Sequence, residues 1–324
     1  MWRCVVSFAS AMVSLTLSLP GQAGNGDLTD VNLESSYRLR VRADWIYVNA
    51  SVWDPQKRES VVDLGKEDFL LYEDGEIRSI DACLSREAPF HLLLLLDVSG
   101  STSGFIQLIR EAAGKFTDQL KPDDRIAILT FHSETSVIQS FTSNRQSAKV
   151  AIEQIRSEGS TALYDAVLTA LDMMRGIEGR KAVIIFSDGA DNQLVDPMKG
   201  SEATFEEVRH VVRETDCLIY TILLLPFKPD RRRDKVLYKA QTQLELLAEE
   251  TGGRSLRPRK PRDLEEAYSE IASDLRHVYT LTFTPGIPRI AGWHDLRVEV
   301  KGREGLTTRS RRGYFSSSEE ARAE

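Results

Sequence analysis

The sequence predicts an α/β fold: a doubly wound, mainly parallel sheet inserted in a β-sandwich that the two flanking segments form. Two patterns lead to this prediction. From about residue 89 to 276, nearly continuous apolar runs alternate with segments whose apolar residues recur every three to four positions. In residues 37–84 and again after 277, apolar residues recur at every second position, which is typical of antiparallel strands with one face in water.

The length, composition and charge of the chain indicate a soluble globular protein and argue against nucleic-acid binding. The chain has 324 residues, which is enough for about two domains. With 41% hydrophobic and 28% charged residues, its composition is that of a soluble globular protein. The formal net charge of −7 argues against a nucleic-acid-binding protein, because such proteins usually carry a basic excess.

Residues 1–23 have the pattern of a secretory signal peptide. Arg3 provides the positive start, residues 4–19 carry no charge, and Ala23 ends a plausible cleavage site. The uncharged stretch is shorter than the ~20 residues that a membrane-spanning helix needs. We therefore expect a secreted or periplasmic mature chain without a stable membrane span.

The first flank, residues 37–86, is predicted to form one part of the sandwich. Its segments YRLRVRADWIYVNASVWD and DFLLYEDGEIRSIDACL alternate apolar and polar residues. Asp54-Pro55 is a turn signal, and Asp74-Gly75 predicts a tight hairpin within the second segment. The flank therefore contributes about three strands, which is few for independent stability.

The α/β domain is predicted to span residues 87–277. Its buried strands are the runs FHLLLLL (90–96), RIAILTF (125–131), KAVIIFS (181–187) and CLIYTILLL (217–225). Helical spacing connects Phe105 to Leu120, Leu163 to Met174, and Leu264 to Leu275. Gly252 and Gly253 end a further helix, because glycine readily adopts the left-handed conformation found there.

The second flank, residues 278–315, returns to alternation in VYTLTFTP, HDLRVEVKG and TTRSRRGYF. Because each flank alone has too few strands to cover its apolar face, we predict that the two form one β-sandwich around the inserted α/β domain. At least one backbone ladder should then join a strand of 37–84 to a strand of 278–315. Residues 316–324, SSSEEARAE, have no large apolar residue and are predicted to be disordered.

Cys83 and Cys217 remain once the signal peptide, with Cys4, is removed. In an oxidising compartment the two thiols could form a disulfide. Each also lies in an apolar run, where cysteine is often a small buried residue. The sequence leaves both possibilities open.

Three loops bring oxygen-bearing side chains to the edge of the sheet where the strands end. The leucine run from Leu92 ends at Asp97, with Ser99 and Ser101 after it, Thr161 opens a predicted helix, and Asp188 follows another strand. Open α/β sheets bind ligands outside the carboxyl ends of their strands. A donor set without His or Cys suits a hard cation, so the sequence predicts Mg²⁺, with Mn²⁺ or Ca²⁺ as alternatives.

Helix capping is the competing interpretation of these residues. Ser, Thr and Asp are favoured at helix N-termini, and each of the three loops precedes a predicted helix. Any one cluster alone is more often a cap than a ligand. Three clusters at one edge of one domain favour the cation site.

The motif resembles the metal-ion-dependent adhesion site of von Willebrand factor A domains. That site has the pattern Asp-x-Ser-x-Ser, then a Thr, then Asp-Gly, and this chain matches it at Asp97, Ser99, Ser101, Thr161, Asp188 and Gly189. The resemblance covers about residues 89–276. It implies that the three hydroxyls bind the ion directly and that the two carboxylates act largely through water.

The resemblance also implies a function and an architecture. An ion held in this way bridges the domain to an acidic residue of a partner protein, in an adhesion or scaffold role. The flanks look like those of bacterial secreted proteins related to this domain. Integrin β-subunits insert a similar domain into a sandwich, which favours the insertion by analogy.

Two other functions compete with that of a binding module. A metal-dependent hydrolase would need a base within reach of Ser99 or Ser101, and His132 is the nearest candidate. The sequence contains no G-x-S-x-G elbow, no phosphate-binding G-x-x-x-x-G-K and no His/Glu zinc spacing. A structural protein with a vestigial site is disfavoured by the intact motif. We therefore expect no enzyme activity and a protein partner that presents a carboxylate.

Overall fold

The structure, a computed structural model, describes residues 45–57, 59–85, 88–194, 196, 200–224, 234–258, 261–286 and 291–316. The predicted signal peptide at 1–23, residues 37–44 of the first flank and residues 317–324 of the predicted tail lie outside this range.

The described part of the first flank forms five strands. They are β1 (Ile46–Asp54), β2 (Glu59–Ser60), β3 (Phe69–Glu73), β4 (Glu76–Arg78) and β5 (Ile80–Ser85). The predicted hairpin joins β3 to β4 at Asp74 and Gly75, whose φ values are 51° and 86°. Two successive residues with positive φ give a turn whose twist matches that of the strands it connects.

The α/β region follows the first flank. Its strands are β6 (Phe90–Asp97), β7 (Arg125–Phe131), β8 (Thr135–Thr142), β9 (Arg180–Ser187), β10 (Leu218–Leu223) and β11 (Ser255–Leu256). Its helices are α1 (Ile106–Gln119), α2 (Arg145–Glu153), α3 (Leu163–Met174), α4 (Phe205–Glu214), α5 (Asp234–Thr251) and α6 (Pro261–Arg276). These described strands and helices alternate as the sequence predicts, except that β8 follows β7 directly and α3 follows α2 directly. None of the helices in the described ranges combines the length and apolarity needed to cross a membrane.

The strands of the α/β region form one sheet in the order β11-β10-β9-β6-β7-β8. Neighbouring strands are parallel except β7 and β8, which are antiparallel. Helices α1, α2 and α6 pack on one face, and α3, α4 and α5 pack on the other. The predicted doubly wound, mainly parallel sheet is confirmed.

The central strand β6 explains the run of five leucines. Leu92, Leu94 and Leu96 belong to the core on one face of the sheet, whereas Leu93 and Leu95 belong to the core on the other face. All five side chains are completely buried. Because both faces are covered, the first polar side chain of the run, Asp97, comes at the carboxyl end of the strand.

Strands of the second flank pair with strands of the first. The second flank contains β12 (Val278–Phe283), β13 (Gly292–Val300), β14 (Thr307–Ser310) and β15 (Gly313–Ser316). Strand β1 lies between β12 and β14, β12 also pairs with β5, and β13 lies between β3 and β15. The expected backbone ladders between 37–84 and 278–315 are therefore present.

These strands form two sheets that share one apolar cluster. One sheet has the order β14-β1-β12-β5, with β2 on β1, and the other has the order β15-β13-β3-β4. Val48 and Leu281 from the first sheet and Leu71 and Val298 from the second contribute to the same cluster. Neither flank supplies this core alone, because each sheet takes strands from both.

The boundary of the predicted disordered tail is wrong by one residue. Ser316 is the last residue of β15 and pairs with Gly292. Its side chain is buried and its hydroxyl lies 3.0 Å from Nε2 of His294. A hydrogen bond of this kind offsets the cost of burying a serine, which polarity in the sequence alone does not reveal.

The chain enters and leaves the α/β region at adjacent points. Ser85, at the end of β5, pairs with Tyr279, near the start of β12. Arg180 fixes the segment that leads from α6 to β12, where the chain leaves the α/β region. Its guanidinium donates to the carbonyls of Leu275 (3.1 Å) and Val278 (3.0 Å). The bond to Leu275 satisfies a carbonyl at the C-terminus of α6, which has no partner within the helix, and the bond to Val278 fixes the first residue of β12.

Because the two flanks share one core, alanine substitutions of two leucines in adjacent strands should lower the free energy of unfolding by unequal amounts. Leu281 in β12 is completely buried, whereas Leu84 in β5 is 55% exposed. Leu281→Ala is expected to lower the free energy of unfolding by about 2–5 kcal/mol. Leu84→Ala is expected to change it by less than about 0.5 kcal/mol. Urea unfolding of the full chain measures both, and equal effects would contradict the shared core.

Candidate functional site

The carboxylate of Asp97 is the buried centre of the candidate site. The residue is completely inaccessible to solvent. Its Oδ1 accepts hydrogen bonds from the Ser99 amide (2.9 Å) and the Ser99 hydroxyl (2.5 Å), and its Oδ2 accepts from the Ser187 hydroxyl (2.6 Å). These donors offset the desolvation of the carboxylate.

The two serines of the motif lie in the turn that follows β6. Ser99 precedes a 3₁₀ turn over Gly100–Phe105, yet its side chain makes no capping hydrogen bond. Its hydroxyl instead bonds to Asp97 and lies 3.1 Å from the hydroxyl of Ser101, which is exposed. The helix-cap interpretation therefore does not hold for Ser99.

Backbone hydrogen bonds attach the loop that carries Thr161 to the loop that follows β6. The Gly100 amide donates to the Gly159 carbonyl (3.0 Å), and the Glu158 amide donates to the Val98 carbonyl (2.8 Å). Gly159 has φ +78°, and a Cβ there would lie 3.1 Å from Nδ1 of His132. Glycine thus permits both the backbone conformation and the close approach.

Thr161 is buried beside these loops with an available hydroxyl. The residue is 2% exposed, and within the described ranges its hydroxyl has no hydrogen-bond partner. The N-cap position of α3 is occupied by Ala162, so Thr161 is not the cap of that helix. A hydroxyl at this edge of the sheet that no protein group occupies is available to bind a ligand.

The third loop carries Asp188 directly after β9. Its Oδ1 accepts a hydrogen bond from the Ala190 amide (3.1 Å), and the residue is 8% exposed. A backbone bond from the Asn192 amide to the Thr161 carbonyl (2.9 Å) joins this loop to the previous one. The three loops are therefore connected in series.

Two carboxylates in the site, those of Asp97 and Asp188, repel each other. Burial, and then the neighbouring Asp188 carboxylate, raises the pKa of Asp97 to about 7. Hydrogen bonds from Ser187 and Ser99 act in the opposite direction. The groups that stabilise the charged form of Asp97 are thus hydroxyls and an amide, and a bound cation would relieve the remaining repulsion.

The donor chemistry fits a hard cation held partly by hydroxyls. In the part of the chain that the structure describes, no three His, Cys, Asp or Glu side chains come together in a metal-binding group. A cation here would therefore need the hydroxyls of Ser99, Ser101 and Thr161 beside the two carboxylates. An oxygen-only set of this kind suits Mg²⁺, Mn²⁺ or Ca²⁺ rather than zinc.

His132, the base that a hydrolase would need, is engaged elsewhere. Its Nδ1 lies 2.9 Å from the Ser133 hydroxyl and 3.3 Å from the Glu134 amide. Among the described residues its ring makes no hydrogen bond to Ser99 or Ser101. His132 is therefore not in hydrogen-bond contact with either candidate nucleophile among the described residues.

The sequence alone assigned no role to two residues that support the site. Ser187 accepts from the Gly189 amide (2.9 Å) and donates to Asp97, so it connects β9 to the carboxylate at the end of β6. Asp191 is completely buried and bonds to α3. The position of Ser187 just before Asp-Gly could have indicated its role, whereas Tyr164 and Ser201, which bond to Asp191, are distant from it in sequence.

Cys83 and Cys217 are both free thiols in the structure. Cys83 lies in β5 of the flank, and Cys217 lies just before β10. Burial raises the pKa of both thiols, which favours the unreactive protonated form. The small-buried-residue interpretation fits Cys217, which is 1% exposed.

The raised pKa of Asp97 predicts a pH-dependent stability of the metal-free protein. Because the pKa rises from 3.8 to about 7 on folding, the folded state binds the proton more tightly. The contribution of Asp97 to the free energy of unfolding therefore falls as pH rises from about 4 to about 7, by a few kcal/mol in order of magnitude.

Urea unfolding in EDTA between about pH 5 and pH 8 measures this dependence. Asp97→Asn should flatten it, whereas Asp123→Asn, at an exposed loop position, should leave it unchanged. An identical slope in the Asp97→Asn variant and the wild type would contradict the assignment.

Comparison with known proteins places the site within a recognised domain. Residues 92–190 match the family model described as the von Willebrand factor type A domain. The chain is 29% identical over 234 residues to inter-alpha-trypsin inhibitor heavy chain H4 of Homo sapiens, over 67% of this chain and 24% of that protein. It is 29% identical over 112 residues to the uncharacterized protein sll0103 of Synechocystis, over 33% of this chain and 27% of that protein.

The chain thus matches about a quarter of the length of these relatives. Among solved structures, the von Willebrand factor type A protein from Catenulispora acidiphila has a TM-score of 0.47 at 12% identity, over 87% of this chain and 77% of that one. The family match contains the whole motif from Asp97 to Asp188. Together with the order of the sheet, it shows that the α/β region has the fold of a von Willebrand factor A domain.

Proposed function

We propose that this domain is an extracytoplasmic protein-binding module that depends on a divalent cation, in an adhesion or scaffold role. The observation that supports this most is the grouping of five oxygen-bearing residues from three connected loops, Asp97, Ser99, Ser101, Thr161 and Asp188. Mg²⁺ suits this donor set first, with Mn²⁺ or Ca²⁺ as alternatives.

Each residue has a distinct role in the proposal. The hydroxyls of Ser99, Ser101 and Thr161 would bind the ion directly. The carboxylates of Asp97 and Asp188 would act largely through water and would supply most of the negative charge. When bound, the cation provides a positive centre with an open coordination position for a carboxylate of the partner protein.

The hydrogen bonds of the chain prepare these oxygens for the role. Because the Ser99 hydroxyl donates its hydrogen to Asp97, its lone pairs remain available to a ligand. Ser187 fixes the other oxygen of the same carboxylate. Outer hydrogen bonds of this kind orient the groups that hold a metal.

A binding module is favoured over the two alternatives. A hydrolase would need His132 as a base in contact with Ser99 or Ser101. Its hydrogen bonds go to Ser133 and Glu134 instead, so we do not assign a hydrolase activity. A vestigial site would not be expected to keep all five residues together with the buried hydrogen bonds of Asp97. The partner is a protein that presents a carboxylate, and not a nucleic acid, given the net charge of −7.

The proposal extends to location and domain organisation. The pattern of residues 1–23 supports a secreted or periplasmic protein. The ladders between the flanks support an α/β domain, residues 87–277, inserted in a β-sandwich of residues 37–86 and 278–315. In this organisation the flanks act as a base for the binding domain.

The proposed ligand role of Thr161 is tested by substitutions that differ only in the hydroxyl. Thr161→Ala should weaken Mg²⁺ binding in calorimetry, typically by tenfold or more. Thr161→Ser keeps the hydroxyl and should bind nearly as the wild type does. Circular dichroism should be the same for all three proteins. Equal affinity in Thr161→Ala would remove this residue from the site.

The open coordination position predicts that capture of a partner depends on the cation. With Mg²⁺, the immobilised full chain should retain a partner from a cell-envelope extract, and EDTA should abolish retention. A glutamate-rich peptide should compete, whereas a glutamine-rich peptide of the same length should not. Retention that persists in EDTA, or that survives Asp188→Ala, would point to another surface.

A further inference from the structure

We propose that Asp191 is a positioning residue: it holds the Thr161 loop and the Asp188 loop in the relative arrangement that the cation site requires. This inference rests on the proposed function, because it concerns the same site. Asp191 is not assigned as a ligand, since protein donors already occupy both of its oxygens.

The contacts of Asp191 reach several separate segments of the chain. Its Oδ1 accepts from the amides of Gln193 (2.7 Å) and Ser201 (3.1 Å). Its Oδ2 accepts from the amide of Tyr164 (3.2 Å) and the hydroxyl of Ser201 (2.6 Å). The side chain is completely buried, so these four bonds form where water does not compete with them.

Asp191 supplies the cap that helix α3 lacks in its own sequence. The N-cap position is Ala162, which offers no side-chain acceptor, although the first amides of a helix have no partner within it. Tyr164 is the second residue of α3, and its amide donates to Asp191. The carboxylate therefore fixes the start of the helix that follows Thr161, in the position favoured by the helix dipole.

A second bond beside Asp191 completes the connection. The amide of Asn192 donates to the carbonyl of Thr161 (2.9 Å), next to the bond between Tyr164 and Asp191. The two loops are thus joined at two successive points. Because Asp188 lies only three residues before Asp191, loss of the carboxylate would free Asp188 to move relative to Thr161.

Gly200 provides an independent way to disturb Asp191. A Cβ at position 200 would lie 2.3 Å from Oδ1 of Asp191 and 1.9 Å from the amide nitrogen of Gln193. Both distances are far below van der Waals contact, so Gly200→Ala would displace the backbone of Gln193 together with the Asp191 carboxylate, which it does not remove. The two substitutions disturb one position by different means.

Asp165 is a matched control for Asp191. It is also a carboxylate that bonds the same later segment to the first turn of α3. Its oxygens accept from the amides of Glu202 (2.8 Å) and Ala203 (2.9 Å). The backbone amide of Asp165 donates to the Ser201 hydroxyl (3.1 Å), and Asp165→Asn leaves this bond in place. The side-chain bonds reach neither the Thr161 loop nor the Asp188 loop, so this substitution should affect stability without moving the site.

The first experiment measures Mn²⁺ affinity of the full chain by calorimetry for wild type, Asp191→Ala, Asp191→Asn, Gly200→Ala and Asp165→Asn. Asp191→Ala and Gly200→Ala should weaken binding by about 10- to 100-fold, as the loss of outer hydrogen bonds does at metal sites. Asp191→Asn keeps an oxygen for the Gln193 and Ser201 amides and should be intermediate. Asp165→Asn should bind as the wild type does.

The second experiment measures amide hydrogen exchange of the metal-free proteins. Asp191→Ala should increase exchange in 161–164 and 188–194 while the strands of the central sheet stay protected. An increase throughout the chain would indicate general destabilisation and would overturn the proposal. This readout does not depend on a bound ion.

The outcomes separate this proposal from the proposed function. If wild type binds Mn²⁺ and Asp191→Ala binds it equally well, the positioning role is wrong while the cation site stands. If Asp165→Asn weakens binding as much as Asp191→Ala does, the effect is one of stability and the positioning role is again wrong. If wild type binds no Mn²⁺, both the cation site and the role of Asp191 are refuted.

Discussion

A carboxylate buried at the end of an apolar strand is the constraint on which the rest of the α/β region depends. Strand β6 is covered on both faces, so Asp97 cannot turn toward solvent and must find its partners within the protein. Ser99 and Ser187 provide them from two different loops. The resulting arrangement draws the carboxyl ends of β6 and β9 together, and the residual charge of Asp97 and Asp188 leaves a position suited to a cation.

The supporting hydrogen bonds show how the site acquires rigidity from loops rather than from helices or strands. Backbone bonds connect the loop after β6 to the Thr161 loop, and the Asn192 amide connects the Thr161 loop to the Asp188 loop. Asp191 adds side-chain bonds to the same junction. Precise placement of ligands usually requires such outer contacts, because loops have little packing of their own to fix them.

The sequence predicts best those strands and helices that have at least one face fully buried in the core. The leucine run of β6 and the apolar face of α1 are unambiguous because each side chain has one environment. Strand β8 went unrecognised because it lies at the sheet edge, where its side chains are exposed or half-buried and no continuous apolar run forms. Helix α4 was also missed, although Thr204 and Glu207 form a capping box that the sequence displays. The five motif residues were predicted from their positions at the ends of predicted elements and from the family resemblance. The role of Asp191 depends on Ser201 and Tyr164, which only the folded chain brings near.

The adjacency of β5 and β12 has a consequence for the order of folding. Their pairing joins Ser85 to Tyr279, so the ladder closes a loop of roughly 190 residues, at an entropic cost of about 5 kcal/mol if that loop is unstructured. A folded α/β domain brings the two ends together beforehand, and Arg180 fixes the exit segment beside the entry. We therefore expect the central region to acquire structure first and the flanking sheets to assemble on it. Substitutions that slow the central domain would then delay the flanks as well, even where they touch none of the flanking strands.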